Sequence, residues 1–98
     1  MNKRHQLVIS EKAREDLIDI WQYIALDSMD NADNFVDLIF EKCENLAAFP
    51  EMGRRRDELL PGIRSLPVKR YVVFYRIREE NIEISRILSA YRDMGSVF

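Results

Sequence analysis

Cysteine, histidine and glycine are all scarce in this 98-residue chain, which has one Cys, one His and three Gly. The lone Cys43 excludes an internal disulfide framework and a cysteine zinc cage. The lone His5 removes most histidine-dependent catalytic designs, including Ser–His and Cys–His pairs. Glycines at 53, 62 and 95 are too scattered for a phosphate-cradling loop. No apolar run approaches the roughly 18 residues needed to span a bilayer. The start, MNKRHQLVIS, is basic but meets charge again at Glu11, so it lacks the apolar core of a secretory signal. These absences predict a small reduced cytoplasmic protein, one domain over residues 1–98, with no cofactor, metal or membrane contact.

Charge is plentiful and unevenly placed. Residues 1–50 carry five basic side chains against ten acidic ones, and residues 51–98 carry ten against seven. Within residues 54–78 there are eight basic side chains against Asp57 and Glu58. An acidic first half joined to a basic second half suggests that the second half meets something anionic. Nucleic acid, an acidic peptide and the first half of the same chain all satisfy that condition.

Periodicity sets out the elements. Gln6 to Ile9 reads as a first strand. Ser10 follows as an N-cap, with Glu11, Glu15 and Asp16 at the positive end of a helix dipole. Ala13, Leu17, Ile20, Trp21 and Ile24 share one face and predict a helix over about 11–27. After the turn DSMDNADN, the stripe Ala32, Phe35, Val36, Ile39, Cys43, Leu46 and Ala47 predicts a second helix over about 31–49. Pro50 disfavours helical backbone at Phe49 and ends it. The segment EMGRRRDELLPG reads as a polar loop in which Arg54, Arg55 and Arg56 are solvated. The period then changes. Strands are predicted at about 63–68, 71–77 and 82–88, with Pro67 marking an edge and YVVFYRI giving the strongest strand signal. Their short turns imply an antiparallel meander. The fold class is therefore α+β: an N-terminal strand, then a helical hairpin packed on an antiparallel meander, then a tail from Ser89.

Conventional hydrolytic chemistry finds few candidates. Cys43 sits on the apolar stripe of the second helix, where it reads as a buried thiol, and the helix carboxylates read as solvent-facing charge. The arginines are more informative. Arg64, Arg76 and Arg86 fall on or beside three successive strands. Strict alternation would put Arg76 with Val72 and Phe74, and Arg86 with Ile82, Ile84 and Leu88. Such a set can hold carboxylates or phosphates bidentately, or can pair internally with Glu79, Glu80 and Glu83. Of the aromatics Tyr71, Phe74, Tyr75 and Tyr91, at least two are expected to pack the sheet on the hairpin rather than bind a ligand.

The strings AREDLIDIWQYI, NLAAFPEMGR, GIRSLPVKRYVVFYRI and IEISRILSAYRD, in this order and spacing, resemble the ParE branch of the ParE/RelE toxin superfamily, from about Leu7 to Asp93. The most specific piece is LAAFPEMGR followed by GIR, YVVFYRI, ISRIL and RD. The resemblance implies the toxin of a type II toxin–antitoxin module, a plasmid-stabilisation type of system, acting by inhibiting DNA gyrase without catalytic residues of its own. It implies a cognate ParD-like antitoxin in a hetero-oligomer, and no sequence-specific nucleic-acid contact. The alternative within the superfamily is a RelE-like ribosome-dependent mRNA endoribonuclease. Aligned on YVVFYRI, that branch's catalytic arginine falls on Val72 and its C-terminal tyrosine on Phe98. Two of its lysines fall on or near Ile63 and Ser65, and only its last-strand arginine has a counterpart, Arg92. Valine cannot stabilise a phosphorane and phenylalanine has no proton to exchange, so cleavage is not expected. The candidate antitoxin or target contacts are Arg64, Arg76, Arg86, Tyr91 and Arg92. Ser89 stands where many relatives carry His.

Overall fold

A serine opens each helix. In the computed structural model, which describes residues 5–98, α1 runs over Glu11–Ala25 and α2 over Met29–Ala48. The Ser10 hydroxyl accepts from the Ala13 N–H at 3.1 Å, and the Ser28 hydroxyl accepts from the Asn31 N–H at 3.1 Å. Ser28 thereby starts α2 two residues before the expected position, while backbone bonds from Asp27 and Ser28 to the Ile24 carbonyl close α1 early. Phe49, with φ −131° and ψ 75°, leaves helical geometry ahead of Pro50. The two apolar stripes fall where the periodicity put them: Ala13, Leu17 and Ile20 of α1 and Ala32, Ile39, Cys43, Leu46 and Ala47 of α2 are buried.

Among the described residues the sheet has five strands: β1 (Gln6–Ile9), β2 (Arg54–Arg55), β3 (Arg64–Val68), β4 (Tyr71–Arg78) and β5 (Asn81–Ser89). Their spatial order is β1-β5-β4-β3-β2. The meander β3–β4–β5 is antiparallel as expected, and β1 adds to it parallel to β5, Gln6 opposite Asn81 through Ile9 opposite Ile84. The sheet is therefore mixed. The two arginines Arg54 and Arg55, read as solvated loop, form the short edge strand β2 against Ser65 and Arg64. Because β2 covers only those two residues, Pro67 sits on open edge, where its missing N–H does no harm.

One face of the sheet packs on the helices. Leu17, Ile20, Ile39, Cys43 and Leu46 meet Val68, Val73, Tyr75, Ile82, Ile84 and Ile87 in the main core. Full burial of each such side chain stabilises by about 1.5–3 kcal/mol, against about 0.2–1 kcal/mol for an exposed ion pair, so packing rather than charge sets the fold. A smaller cluster lies apart from it: Ile63, Phe74 and Leu88, covered by Leu59, Leu60, Val72 and the C-terminal residues Met94, Val97 and Phe98. The tail expected after Ser89 thus carries a short 3-10 turn, Met94–Ser96, that closes this second core.

Alternation along β5 is broken. The register slips between Phe74 and Tyr75, so that Phe74 opposes Arg86 while Tyr75 opposes Ile84, and Ser85 is the extra residue of a bulge. Ile82 and Ile84 belong to the main core and Leu88 to the second, so Arg86 does not share one face with all three. The bulge carbonyl is not left unpaired, because the Ser10 hydroxyl donates to Ser85 O at 3.0 Å.

Candidate binding surface

The three arginines singled out on the sheet, Arg64, Arg76 and Arg86, each reach a different internal acceptor. Arg64 opens β3 opposite Tyr75 and sends its guanidinium back to the turn after α2, donating to the carbonyls of Gly53 (2.9 Å) and Glu51 (3.4 Å). Tyr75 holds the same turn: its hydroxyl donates to Pro50 O at 2.7 Å and accepts from the Gly53 N–H at 2.8 Å. Burial pushes the Tyr75 phenol above its ordinary pKa, partly offset by the Gly53 hydrogen bond and the Arg64 charge. The segment FPEMG is therefore wrapped around one phenol and one guanidinium.

Arg76 lies opposite Glu83 and donates to it at 3.1 Å, while Arg78 reaches the other carboxylate oxygen at 3.4 Å. Burial raises the Glu83 carboxyl, but the hydrogen bonds and charges of Arg76 and Arg78 outweigh it and hold the group below its ordinary value. Arg86 is bound bidentately by Asp16 of α1, at 2.8 and 3.0 Å, and Asp16 also accepts the Ile87 N–H at 2.9 Å. The chemical logic is positional: β1 pairs with β5 only as far as Ile84, and Asp16 takes over an edge amide that β1 leaves open. Its hydrogen bond raises the Arg86 pKa further. Sequence distance hid this pair, since its members are 70 residues apart.

Tyr91 and Arg92 are placed differently. Both lie exposed in the turn leaving β5, Tyr91 at 85%. Ser89 shapes that turn: its hydroxyl accepts from the Tyr91 N–H at 3.3 Å and its carbonyl from the Arg92 N–H at 3.1 Å. Phe74 and Tyr75 are buried and Tyr71 is half-buried against Phe35, ring centroids 5.2 Å apart, so three of the four singled-out aromatics pack the fold.

Of the positions weighed for RNA cleavage, Ile63, Val72 and Phe98 come together as hydrocarbon, whereas the Ser65 hydroxyl accepts from Arg56 at 3.5 Å and Arg92 lies exposed in the turn after β5. Ile63 is buried in the second cluster, Val72 and Phe98 pack against it, and the Phe98 ring lies 4.9 Å from that of Phe74. Ser65 is buried opposite Phe74. Cys43, in the main core, has its thiol pushed up to about 12 by burial, with Glu44 adding to the shift, which suits packing and not nucleophilic attack. Among the described residues no group of three or more His, Cys, Asp or Glu side chains is placed to hold a metal ion, and no helix is long and apolar enough to cross a membrane. Sequence reasoning missed one feature altogether. An open apolar depression of about 780 Å³ lies at the end of α2, lined by His5, Ala48, Phe49, Pro50, Met52 and Ile77 among others.

This arrangement, a helical hairpin on a mixed sheet with a hydrocarbon cluster behind it, has relatives. Residues 7–94 match the family described as ParE toxin of type II toxin-antitoxin system, parDE. The chain belongs to the ParE toxin family. It is similar to Toxin ParE3 of Caulobacter vibrioides, 36% identical over 63 residues, a match that spans 64% of this chain and 60% of that relative. It is also similar to Toxin ParE1 of Mycobacterium tuberculosis strain H37Rv, 30% identical over 90 residues, covering 89% of this chain and 91% of that one. Among solved structures it resembles a chain of the chromosomal ParDE TA system from P. aeruginosa, with a TM-score of 0.75 and 27% identity over 88% of this chain and 96% of that one. The ParE pattern LAAFPEMGR has a physical reading here, as the turn that Tyr75 and Arg64 clamp.

Proposed function

We propose that this ParE-type chain inhibits DNA gyrase by binding, contributes no catalytic residues, works in the cytoplasm as a single domain, and is neutralised in a hetero-oligomer by a cognate ParD-like antitoxin. The observation that carries the reading is the hydrocarbon cluster of Ile63, Val72, Phe74 and Phe98. Cleavage through a 2′-hydroxyl needs a base, an acid and a cation beside the phosphate. Of the aligned positions, Ile63, Val72 and Phe98 can neither move a proton nor balance charge and Ser65 carries no cation; Arg92 alone could bind a phosphate, which does not complete the reaction.

The antitoxin contact is proposed along the sheet and hairpin. A disordered tail gains apolar anchors in the depression beside Phe49, Met52 and Ile77, and carboxylates for donors that Arg64, Arg76 and Arg86 retain beyond their internal partners. Tyr91 and Arg92 form the proposed target contact. Induced expression without antitoxin tests the function: thymidine incorporation should stop before methionine incorporation, and co-expressed antitoxin should restore growth. Early loss of methionine incorporation with cut messages would favour the ribonuclease alternative instead.

A further inference from the structure

Two loops meet at one end of the sheet. Lys69 and Arg70 join β3 to β4, and Ala90 to Arg92 leave β5; the Ala90 N–H donates to Arg70 O at 2.8 Å and fastens one loop to the other. Lys69, Arg70 and Arg92 are exposed, and none makes an ion pair among the described residues. Arg64, Arg76 and Arg86 differ in this respect, each holding an internal acceptor. Beside the three unpaired cations stands Tyr91, 85% exposed, whose ring packs no core.

We infer that this end of the sheet is a docking site for a short acidic polypeptide segment with an apolar anchor, carboxylates meeting Lys69, Arg70 and Arg92 and an apolar side chain meeting Tyr91. Arginine clusters take acidic motifs in this way, and an exposed tyrosine supplies contact area with little entropy to lose. A nucleic acid fits less well. Its phosphates continue beyond any short cluster, and α2, whose Phe35 packs against Tyr71, carries Asp30 and Asp33 ahead of that ring with Asp27 in the turn before it, charges that repel an extended polyanion. The excess of basic side chains in the second half does not continue from this end as a free track, because Arg76 and Arg78 are paired with Glu83 and Arg86 with Asp16. The inference deepens the proposed target contact at Tyr91 and Arg92 and rests on that reading for the partner's identity, though not for its chemistry.

The test uses the full chain, a labelled peptide of Glu-Glu-Leu repeats and a labelled oligothymidylate of equal charge, with anisotropy read at low and high salt. Lys69→Gln, Arg70→Gln and Arg92→Gln together should weaken peptide binding about tenfold and flatten its salt dependence. The same number of neutralised cations elsewhere, Lys12→Gln, Arg14→Gln and Arg54→Gln, should change it less than about twofold. Tyr91→Ala should weaken it about threefold at high salt, where the apolar contact remains. Equal loss in both triple variants, no peptide binding by the unaltered chain, or tighter binding of the oligothymidylate would each overturn the site. Gyrase inhibition is measured in parallel: peptide binding without inhibition removes the target reading and keeps the site, whereas inhibition without peptide binding removes the site alone.

Discussion

Tyr75 and Gly53 are locked together. The Gly53 N–H donates to the phenol oxygen at 2.8 Å, and a Cβ built on Gly53 would lie 2.5 Å from both the Cε1 and the hydroxyl of Tyr75. The glycine is required by close approach of a buried ring and not by an unusual φ. Gly53→Ala must therefore push the ring or the turn aside, and should destabilise the fold by about 1–3 kcal/mol. Tyr75→Phe leaves the Gly53 N–H and the Pro50 carbonyl without their partner and should lose about 1–3 kcal/mol. Urea titrations read both, with the slope unchanged if the native turn persists.

The Asp16 carboxylate ties α1 to the far half of β5 through Arg86 and the Ile87 amide, with side chains only 11% and 21% exposed. Removing one partner strands the other, so Asp16→Ala and Arg86→Ala should each destabilise by about 2–4 kcal/mol, and the double variant by much less than their sum. Arg86→Lys should recover only part of the loss, since an ammonium cannot grip both oxygens in the plane of the carboxylate. Additive losses in the double-mutant cycle would contradict the pairing.

Glu83 sets a pH dependence. Its folded pKa is held below the unfolded 4.5 by Arg76 and Arg78 against the opposing effect of burial. A depressed carboxyl contributes stability that is present above the unfolded value and is lost as pH falls through the folded one. Between neutral pH and about pH 3 the unaltered chain should therefore lose more stability than Glu83→Gln, which has no such carboxyl to protonate. Parallel loss in the two proteins would contradict the assignment.

Much of this architecture is legible in the residues. The stripes of α1 and α2, the cap at Ser10 and the strand over Tyr71–Ile77 announce themselves through spacing, because each element must bury one periodic face. What stays hidden is relational. Nothing in QLVI says that it will pair parallel to β5, as such pairing depends on a register formed with residues 75 positions away. Two arginines are too few to show a period, so β2 reads as loop. The Ser85 bulge shifts the alternation on which the face of Arg86 was inferred, and only the Ser10 hydroxyl waiting for its carbonyl explains where it sits. At the candidate site the arginines are visible, and so is Glu83, which stands seven residues from Arg76; Asp16 and Gly53 are not, because they lie 70 residues from Arg86 and 11 from Arg64. The C-terminal cover had a signal. Met94, Val97 and Phe98 are spaced three and one apart, the pattern of a turn with an apolar side.

The most direct test of the central claim, a toxin that grips its target and does not cut, is a gyrase supercoiling assay titrated with the purified protein, with translating ribosomes given the same doses. The account predicts that relaxed plasmid fails to become supercoiled at saturating protein while ribosome-bound messages stay intact. Full supercoiling alongside cleaved message, with Val72 and Phe98 unchanged, would contradict it.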